Sequence, residues 1–219
     1  MEERLIMKIL PFKENPVFPF LLIDDFYNEK EEKLIWQELD FYTIDKFISN
    51  KDDKTLLRAV DEKTGKSKNS SYRIYLDQVY QANSRHVSNI LTLYKKIISE
   101  EIKEVYKGIT PAWKLLDWSD RDLSQISYYD EGDRYDSHAD VYGCSVMIWF
   151  YREPKRFKGG DFYFDDPNTK VVCKHNRLLM FPSYYMHSVT PVTMEKEYRE
   201  KGFGRYALTH FYFNSHGIR

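Results

Sequence analysis

The chain has 219 residues, 42% of them hydrophobic and 16% aromatic, enough to bury a substantial core and to exclude a disordered polypeptide. Lys and Arg number 33 against 34 Asp and Glu, so the net charge is −1 and no broad basic field advertises nucleic acid or an anionic membrane. Cys144 and Cys173 lie far apart with no CxxC pair, which argues against a zinc ribbon or disulfide scaffold and for two buried, small hydrophobes in a reducing compartment.

The first ten residues, MEERLIMKIL, open with acids, and Lys8 interrupts a short apolar run. No signal-peptide pattern is present, and no apolar stretch approaches the roughly 20 residues that a membrane-spanning helix needs. The expectation is a soluble, cytoplasmic protein. Phe20 to Ile23 read as a short strand. Asn28 and Glu31 then have capping-box spacing, and Leu34, Ile35 and Leu39 give the following helix one apolar face. Residues 50–71 are polar, Lys-rich and Gly-containing and read as an exposed loop. Over residues 83–106, Val87, Ile90, Leu91, Tyr94, Ile97, Ile98, Ile102, Val105 and Tyr106 recur at helical spacing, a stripe suited to packing on a sheet.

Beyond Trp113 the pattern shortens to β-prone runs separated by Gly, Pro, Asn and Asp: LSQISYYD, CSVMIWFY, DFYF, KVVC, RLLMFP, HSVTPV and RYALTHFYF. Many short strands with frequent turns predict a barrel or jelly roll, which manages its strand edges by closing or doubling the sheet. The expected fold class is α+β, mainly β, in a single domain over 1–219. Residues 1–112 form a helical support, and 113–213 form the double-sheet core.

Candidate chemistry begins at YDEGDRYDSHADVYG, where His138 and Asp140 stand two residues apart at the mouth of an apolar strand. A strand points such a pair to one side. His187 begins a later strand just past RLLMFPSYYM. Two imidazoles and a carboxylate from separate strands form the donor set of a non-haem Fe(II) facial triad, which leaves the opposite coordination positions open. A structural zinc site would be closed by four ligands, commonly thiolates. In RYALTHFYF, period two puts Arg205, Ala207, Thr209 and Phe211 on one face, and an inward guanidinium is costly unless an anion meets it.

Taken together, YxxGxxYxxHxD (Tyr129 to Asp140), GGDFYF (Gly159 to Phe164), RLLMFPSYYMHSVTPV (Arg177 to Val192) and GRYALTHFYF (Gly204 to Phe213) resemble the 2-oxoglutarate- and Fe(II)-dependent dioxygenases. Within them the order is similar to the prolyl 4-hydroxylase-like branch, and PFLLIDDFY with its helix resembles that branch's N-terminal entry. The resemblance implies a double-stranded β-helix core of the jelly-roll or cupin type. It implies iron bound by His138, Asp140 and His187, and 2-oxoglutarate held by Arg205, Tyr129 and Thr209, with Tyr135 and Phe211 beside the substrate. O₂ is then the second cosubstrate, and ascorbate an accessory reductant the family allows. The implied reaction decarboxylates 2-oxoglutarate to succinate and hydroxylates an unactivated C–H, foremost that of a prolyl residue in a protein or peptide. Tyr129, Tyr135, Trp149 and Phe211 would supply dry aromatic walls.

The spacing departs from the family pattern between His187 and Arg205, where TMEKEYREKGFG reads as an inserted charged hairpin. The insertion makes Arg199 a competitor for the anchoring role, but Arg199 lies in a charged, solvated segment and Arg205 opens the apolar strand. The polar stretch 50–71 and the insertion near 194–203 are candidate lids or substrate-reading loops. A free amino acid or other small metabolite is the alternative substrate. Nucleic acid is disfavoured because Phe211 stands where the demethylating branch carries a second arginine. A non-catalytic β-barrel binding module would not need the triad, Tyr129 and Arg205 together. A zinc hydrolase would leave Arg205 and GGDFYF without a role, and no HExxH, GxSxG, P-loop or GxGxxG is present. His86, His175, His210 and His216 read as structural or solvated, with His210 facing away from the barrel interior.

Overall fold

The computed structural model describes residues 8–11, 20–42, 59–109, 111–166 and 168–215. Residues 50–58 of the expected loop and His216 lie outside them. Strand β2 (Leu21–Asp24) pairs with β1 (Lys8–Pro11) and leads into helix α1 (Glu29–Phe41). The helix starts where expected: the Asn28 side chain accepts from the Lys30 and Glu31 amides, and Glu31 accepts from the Asn28 amide. Ile35 and Leu39 are buried as read, whereas Leu34 turns out to solvent.

The expected exposed loop is partly wrong. Val60 bridges Ser67, Asn69 bridges Tyr135, and Asn69 and Ser71 are buried. Asn69 Oδ1 accepts from the amide and hydroxyl of Ser71, so the polar side chains close this segment on itself and against the core. Strand β3 (Tyr72–Tyr75) and the single turn α2 (Leu76–Val79) follow. The helical stripe over 83–106 is not continuous. It divides into α3 (Asn89–Leu93), a 3₁₀ segment and α4 (Glu100–Ile109). Ser88 and Ser99 have extended ψ angles of 124° and 152° and cap the pieces that follow, Ser88 through the Leu91 amide and Ser99 through Ile102. Ile90, Leu91, Ile97, Ile102 and Tyr106 still reach the core, but Val87 is exposed.

The β core comprises β4 (Arg121–Tyr129), β5 (Tyr135–His138), β6 (Cys144–Phe150), β7 (Phe157–Gly159), β8 (Phe162–Phe164), β9 (Thr169–Val171), β10 (Arg177–Pro182), β11 (His187–Val189), β12 (Val192–Met194) and β13 (Arg205–Phe213). A seven-stranded sheet runs β1-β2-β10-β6-β13-β4-β3, a smaller one runs β5-β11-β8-β9, and β12 pairs with β7. The run HSVTPV thus serves two sheets, and His187 lies directly opposite His138. The charged insertion is a 3₁₀ turn at Lys196–Tyr198 rather than a β-hairpin.

Both faces of the large sheet are covered at β6 and β13, which are buried along almost their whole length. Val146, Ile148, Phe150, Tyr206, Leu208 and Tyr212 belong to one cluster with the helices. Met147, Trp149 and Ala207 belong to the other, with Phe162, Phe164 and Val189 of the small sheet. His210 lies on the helix side, as the period of β13 predicts; its Nδ1 is 2.8 Å from the Ser124 hydroxyl and its ring stacks on Tyr94. Cys144 and Cys173 are buried free thiols.

Burial, assisted by nearby Arg85, pushes His210 down to about 3. It therefore stays neutral in the fold while the unfolded chain takes up a proton below its ordinary value, so stability falls as pH drops through 6.5 toward 3. The loss from this residue between pH 6.5 and 5 is about 2 kcal/mol. Urea unfolding at the two pH values should show a smaller difference for His210→Gln than for the unsubstituted protein.

Candidate active site

Three side chains meet where β5 and β11 run side by side. His138 ends β5, His187 begins β11 as its cross-strand partner, and Asp140 follows two residues after His138. The Asp140 amide donates to the Ser183 carbonyl at 2.9 Å, which ties the loop to the end of β10. His138 and His187 are 4% and 2% exposed. His138 Nδ1 lies 3.0 Å from the Asp136 carbonyl and His187 Nδ1 2.7 Å from the Tyr185 carbonyl. A carbonyl can only accept, so both Nδ1 atoms carry the proton and both Nε2 lone pairs are left to face Asp140. The distances are 3.6 Å from His138 Nε2 to Asp140 Oδ1 and 3.7 Å from His187 Nε2 to Oδ2. All three ligand atoms lie within 4.8 Å of one another.

The electrostatics suit a cation. Burial works against the charge of Asp140, but the adjoining His138 and His187 rings and the Ser145 hydroxyl hold its carboxyl below the usual range. Burial pushes His187 down to about 4, against the opposing pull of Asp140. Neutral imidazoles and an ionised carboxylate are the protonation states in which these groups ligate metals. Asp140 Oδ2 also accepts from Ser145 Oγ at 2.6 Å, and that hydroxyl is 2.8 Å from Ser183 Oγ. The donor set, two imidazoles and one carboxylate, fits Fe(II).

A small inner cavity of about 20 Å³ adjoins these residues, lined also by Tyr129, Met147, Ala207 and Thr209. Beyond it opens a cavity of about 290 Å³ edged by Tyr75, Tyr135, Val141, Tyr142 and Phe211. The Tyr135 ring stacks on His138 at 3.4 Å and 16°. Phe211 packs on Tyr142 at 4.4 Å.

Arg205 lies on the same face of β13 as Ala207, Thr209 and Phe211, and opposite Tyr129 of β4. It has no solvent exposure. Its guanidinium carbon is 4.6 Å from the Tyr129 ring centre and 5.6 Å from that of Trp149, and Nη2 reaches Met147 Sδ at 3.5 Å. Among the described residues, Nε and Nη1 have no hydrogen-bond partner. Arg199, by contrast, is 43% exposed, pairs with Glu131 at 3.2 Å and donates to the Met194 carbonyl. The Gly-Gly pair of GGDFYF makes room for this arrangement. Gly159 and Gly160 have φ of +71° and +68°, and a Cβ on Gly160 would lie 2.8 Å from Arg205 Cδ.

The structure also brings in residues that sequence reasoning missed: Arg73, Gln125, Ser127, Tyr142 and Met147 line the cavities, and Ser145 and Ser183 brace Asp140. Arg73 had a legible sign, a lone arginine in the apolar run YRIY, the same feature that marks Arg205. The serines carried none.

A sequence profile of the 2OG-Fe(II) oxygenase superfamily matches residues 124–213, a segment that holds His138, Asp140, His187 and Arg205. That segment of the chain is similar to the superfamily, whose members are dioxygenases that use Fe(II), 2-oxoglutarate and O₂. The fold of the chain is similar to that of a Pseudomonas putida prolyl-4-hydroxylase, at 15% identity over 90% of this chain and 94% of that one, with a TM-score of 0.55. A Trichoplax adhaerens prolyl hydroxylase, solved with a hypoxia inducible factor oxygen degradation domain peptide fragment, is 14% identical over 91% and 86% of the two chains, with a TM-score of 0.57. A Phytophthora capsici prolyl 4-hydroxylase is 14% identical over 90% of this chain and 59% of its own, with a TM-score of 0.53. No curated protein matches the sequence. Among the described residues no helix is long and apolar enough to cross a membrane.

Two substitutions test the supports of this candidate site. Ser145→Ala removes the hydroxyl that orients Asp140 and should weaken Fe(II) affinity by about tenfold to a hundredfold, measured by anaerobic metal titration. Gly160→Ala forces a side chain onto a left-handed backbone against Arg205 Cδ. It should destabilise the fold by about 1–3 kcal/mol in urea and weaken 2-oxoglutarate binding.

Proposed function

We propose that this protein is an oxygenase that hydroxylates a prolyl residue in a protein or peptide, with iron held by His138, Asp140 and His187. The observation that carries the site assignment is Arg205, a fully buried guanidinium with two donor nitrogens that find no partner among the described residues, on the strand face that lines the cavity. Such a group strongly favours an entering carboxylate, and a guanidinium receives one through two parallel hydrogen bonds. In this reading Arg205 binds the distal carboxylate of 2-oxoglutarate, with Tyr129 and Thr209 along the same wall. Iron and 2-oxoglutarate, when bound, supply the oxidant that inserts oxygen into a C–H bond.

The chain's own contributions are orientation and exclusion of water. The two carbonyl-held imidazoles present Nε2 without needing to reorganise, and Ser145 fixes the carboxylate between them. Tyr135 and Phe211 flank the opening where a flat, apolar pyrrolidine ring would lie against aromatic faces. The prolyl assignment draws its support from this aromatic rim and from the motif order shared with the prolyl 4-hydroxylase-like branch. We assign the chain one functional unit, with 113–213 as the catalytic core and 1–112 as its support.

The test is anaerobic titration of the purified protein with Fe(II) and 2-oxoglutarate, following the visible charge-transfer band of the ternary complex. Arg205→Ala should lower the 2-oxoglutarate affinity by at least about tenfold, whereas Arg199→Ala should leave the band unchanged. A band that survives Arg205→Ala at full affinity would remove Arg205 from the site. With the band in hand, proline-containing peptides should gain the mass of one oxygen in aerobic turnover, and a peptide lacking proline should not.

A further inference from the structure

The inner and outer cavities of the site share six lining residues: Arg73, Gln125, Tyr135, His138, Asp140 and Phe211. Five of them are engaged. His138 and Asp140 belong to the metal corner, and Phe211 packs on Tyr142. Arg73 hydrogen-bonds Tyr135 and lies over its ring, which in turn stacks on His138. Gln125 is the exception. It is 6% exposed, and its side chain makes no hydrogen bond among the described residues. A carboxamide withdrawn from bulk water and left without protein partners rewards a polar group that pairs with it and penalises one that cannot.

Its place in the sheet separates Gln125 from the cosubstrate anchor. The inward face of β4 carries Gln125, Ser127 and Tyr129 in turn, and Thr209, Ala207 and Arg205 of β13 lie opposite them. Tyr129 and Arg205 form the deep row. Gln125 stands two rows nearer the mouth, about 13 Å along the strand from Tyr129, between Thr209 and Tyr75 of β3. Ser127 and Thr209 line the inner cavity alone, whereas Gln125 also borders the outer one, on the way from the mouth to the metal corner.

A side-chain amide offers an acceptor oxygen and an N–H donor side by side. One residue of an extended chain presents the complement, because its own N–H and C=O point to the same side, as they do toward the residue opposite in an antiparallel sheet. A proline lacks the N–H, so the target itself cannot fill this role. The residue before it can, and the proline ring restricts that residue to extended backbone. An uncharged amide also suits a neutral peptide group better than the charged ends of a free amino acid. We propose that Gln125 reads the main chain of the substrate, its Oε1 accepting from the N–H and its Nε2 donating to the C=O of the residue that precedes the target proline. The inference rests on the prolyl reading above and deepens it: the substrate is a polypeptide that extends before the proline, not a free amino acid.

The test is calorimetric titration of protein loaded with 2-oxoglutarate and Mn(II), an oxygen-inert stand-in for Fe(II). The probes are acetyl-Ala-Ala-Pro-Ala-amide, the same peptide with N-methylalanine before the proline, and the same peptide with N-methylalanine in the first position instead. The parent should bind about tenfold or more tightly than the second peptide and to within about twofold of the third. Gln125→Met keeps the length of the side chain and removes both polar atoms. It should weaken the parent by about tenfold and bring the first two peptides to within about twofold of each other. Gln125→Glu still accepts from the N–H and should keep the parent's advantage over the second peptide. The anaerobic Fe(II) and 2-oxoglutarate band should be unchanged in both variants, which shows that the fold and the cosubstrate site are intact. A residue that only supported the sheet would shift all three peptides alike. Equal losses from the two methylations, no loss from either, a preference that survives Gln125→Met, or a band weakened by Gln125→Met overturns the proposal while leaving the prolyl reading standing. A parent peptide that fails to bind unsubstituted protein whose band is present overturns the proposal and the prolyl reading together, and absence of the band overturns the oxygenase reading beneath them.

Discussion

A positive charge with no access to water organises the interior of this protein. Arg205 sits on the inward face of β13, beneath Trp149 and beside Tyr129, where leaving it unpaired is costly in a medium that solvates charge poorly. Several neighbouring features become intelligible as accommodations of its long side chain. The left-handed Gly159–Gly160 corner clears space at Cδ, Met147 offers a polarizable sulfur to Nη2, and the facing aromatic rings present their negative faces to the guanidinium. The same period of two that turns Arg205 and Thr209 inward turns Tyr206, Leu208 and His210 toward the helices. One strand therefore serves a hydrophobic support on one side and a polar chamber on the other.

The metal-binding corner follows a different logic, in which backbone groups decide what side chains can do. Two carbonyls set the tautomers of His138 and His187, so both imidazoles present the same nitrogen inward before any ion arrives. A chain of two serine hydroxyls then reaches Asp140 from β6 and from the end of β10. The strands of both sheets thereby contribute to one small volume, the feature a double-sheet fold offers that a single sheet cannot.

Much of this was legible from residue order alone, and the reasons differ from place to place. The inward Arg205 could be read because strand periodicity translates sequence spacing directly into facing direction, whereas Asp140 joins His138 and His187 from the loop after β5, and it was legible only through the motif order. Asn28 could be read because a cap is a local contract among four neighbouring residues. The helix expected over 83–106 failed because Ser88 and Ser99 satisfy their backbone locally, a choice that apolar spacing does not record. Arg73 escaped because its strand is four residues long and follows a polar stretch, so its lone arginine could be seen in YRIY but not placed on a sheet until the pairing with β4 was visible. Ser145 and Ser183 are small polar residues among apolar ones, and their role exists only in three dimensions.

The register of β5 against β11 has a mechanical consequence. Because His138 and His187 are direct cross-strand partners, an ion shared between them is a clasp joining two short strands of the small sheet at a place where the ladder shifts register. The large sheet, stitched by nine residue pairs between β13 and β4, does not depend on such a clasp. Ligation adds its free energy to the folded state and concentrates the gain in the small sheet. Iron occupancy would then set the stiffness of the very wall against which a substrate must be held, so that a vacant site is also a softer one.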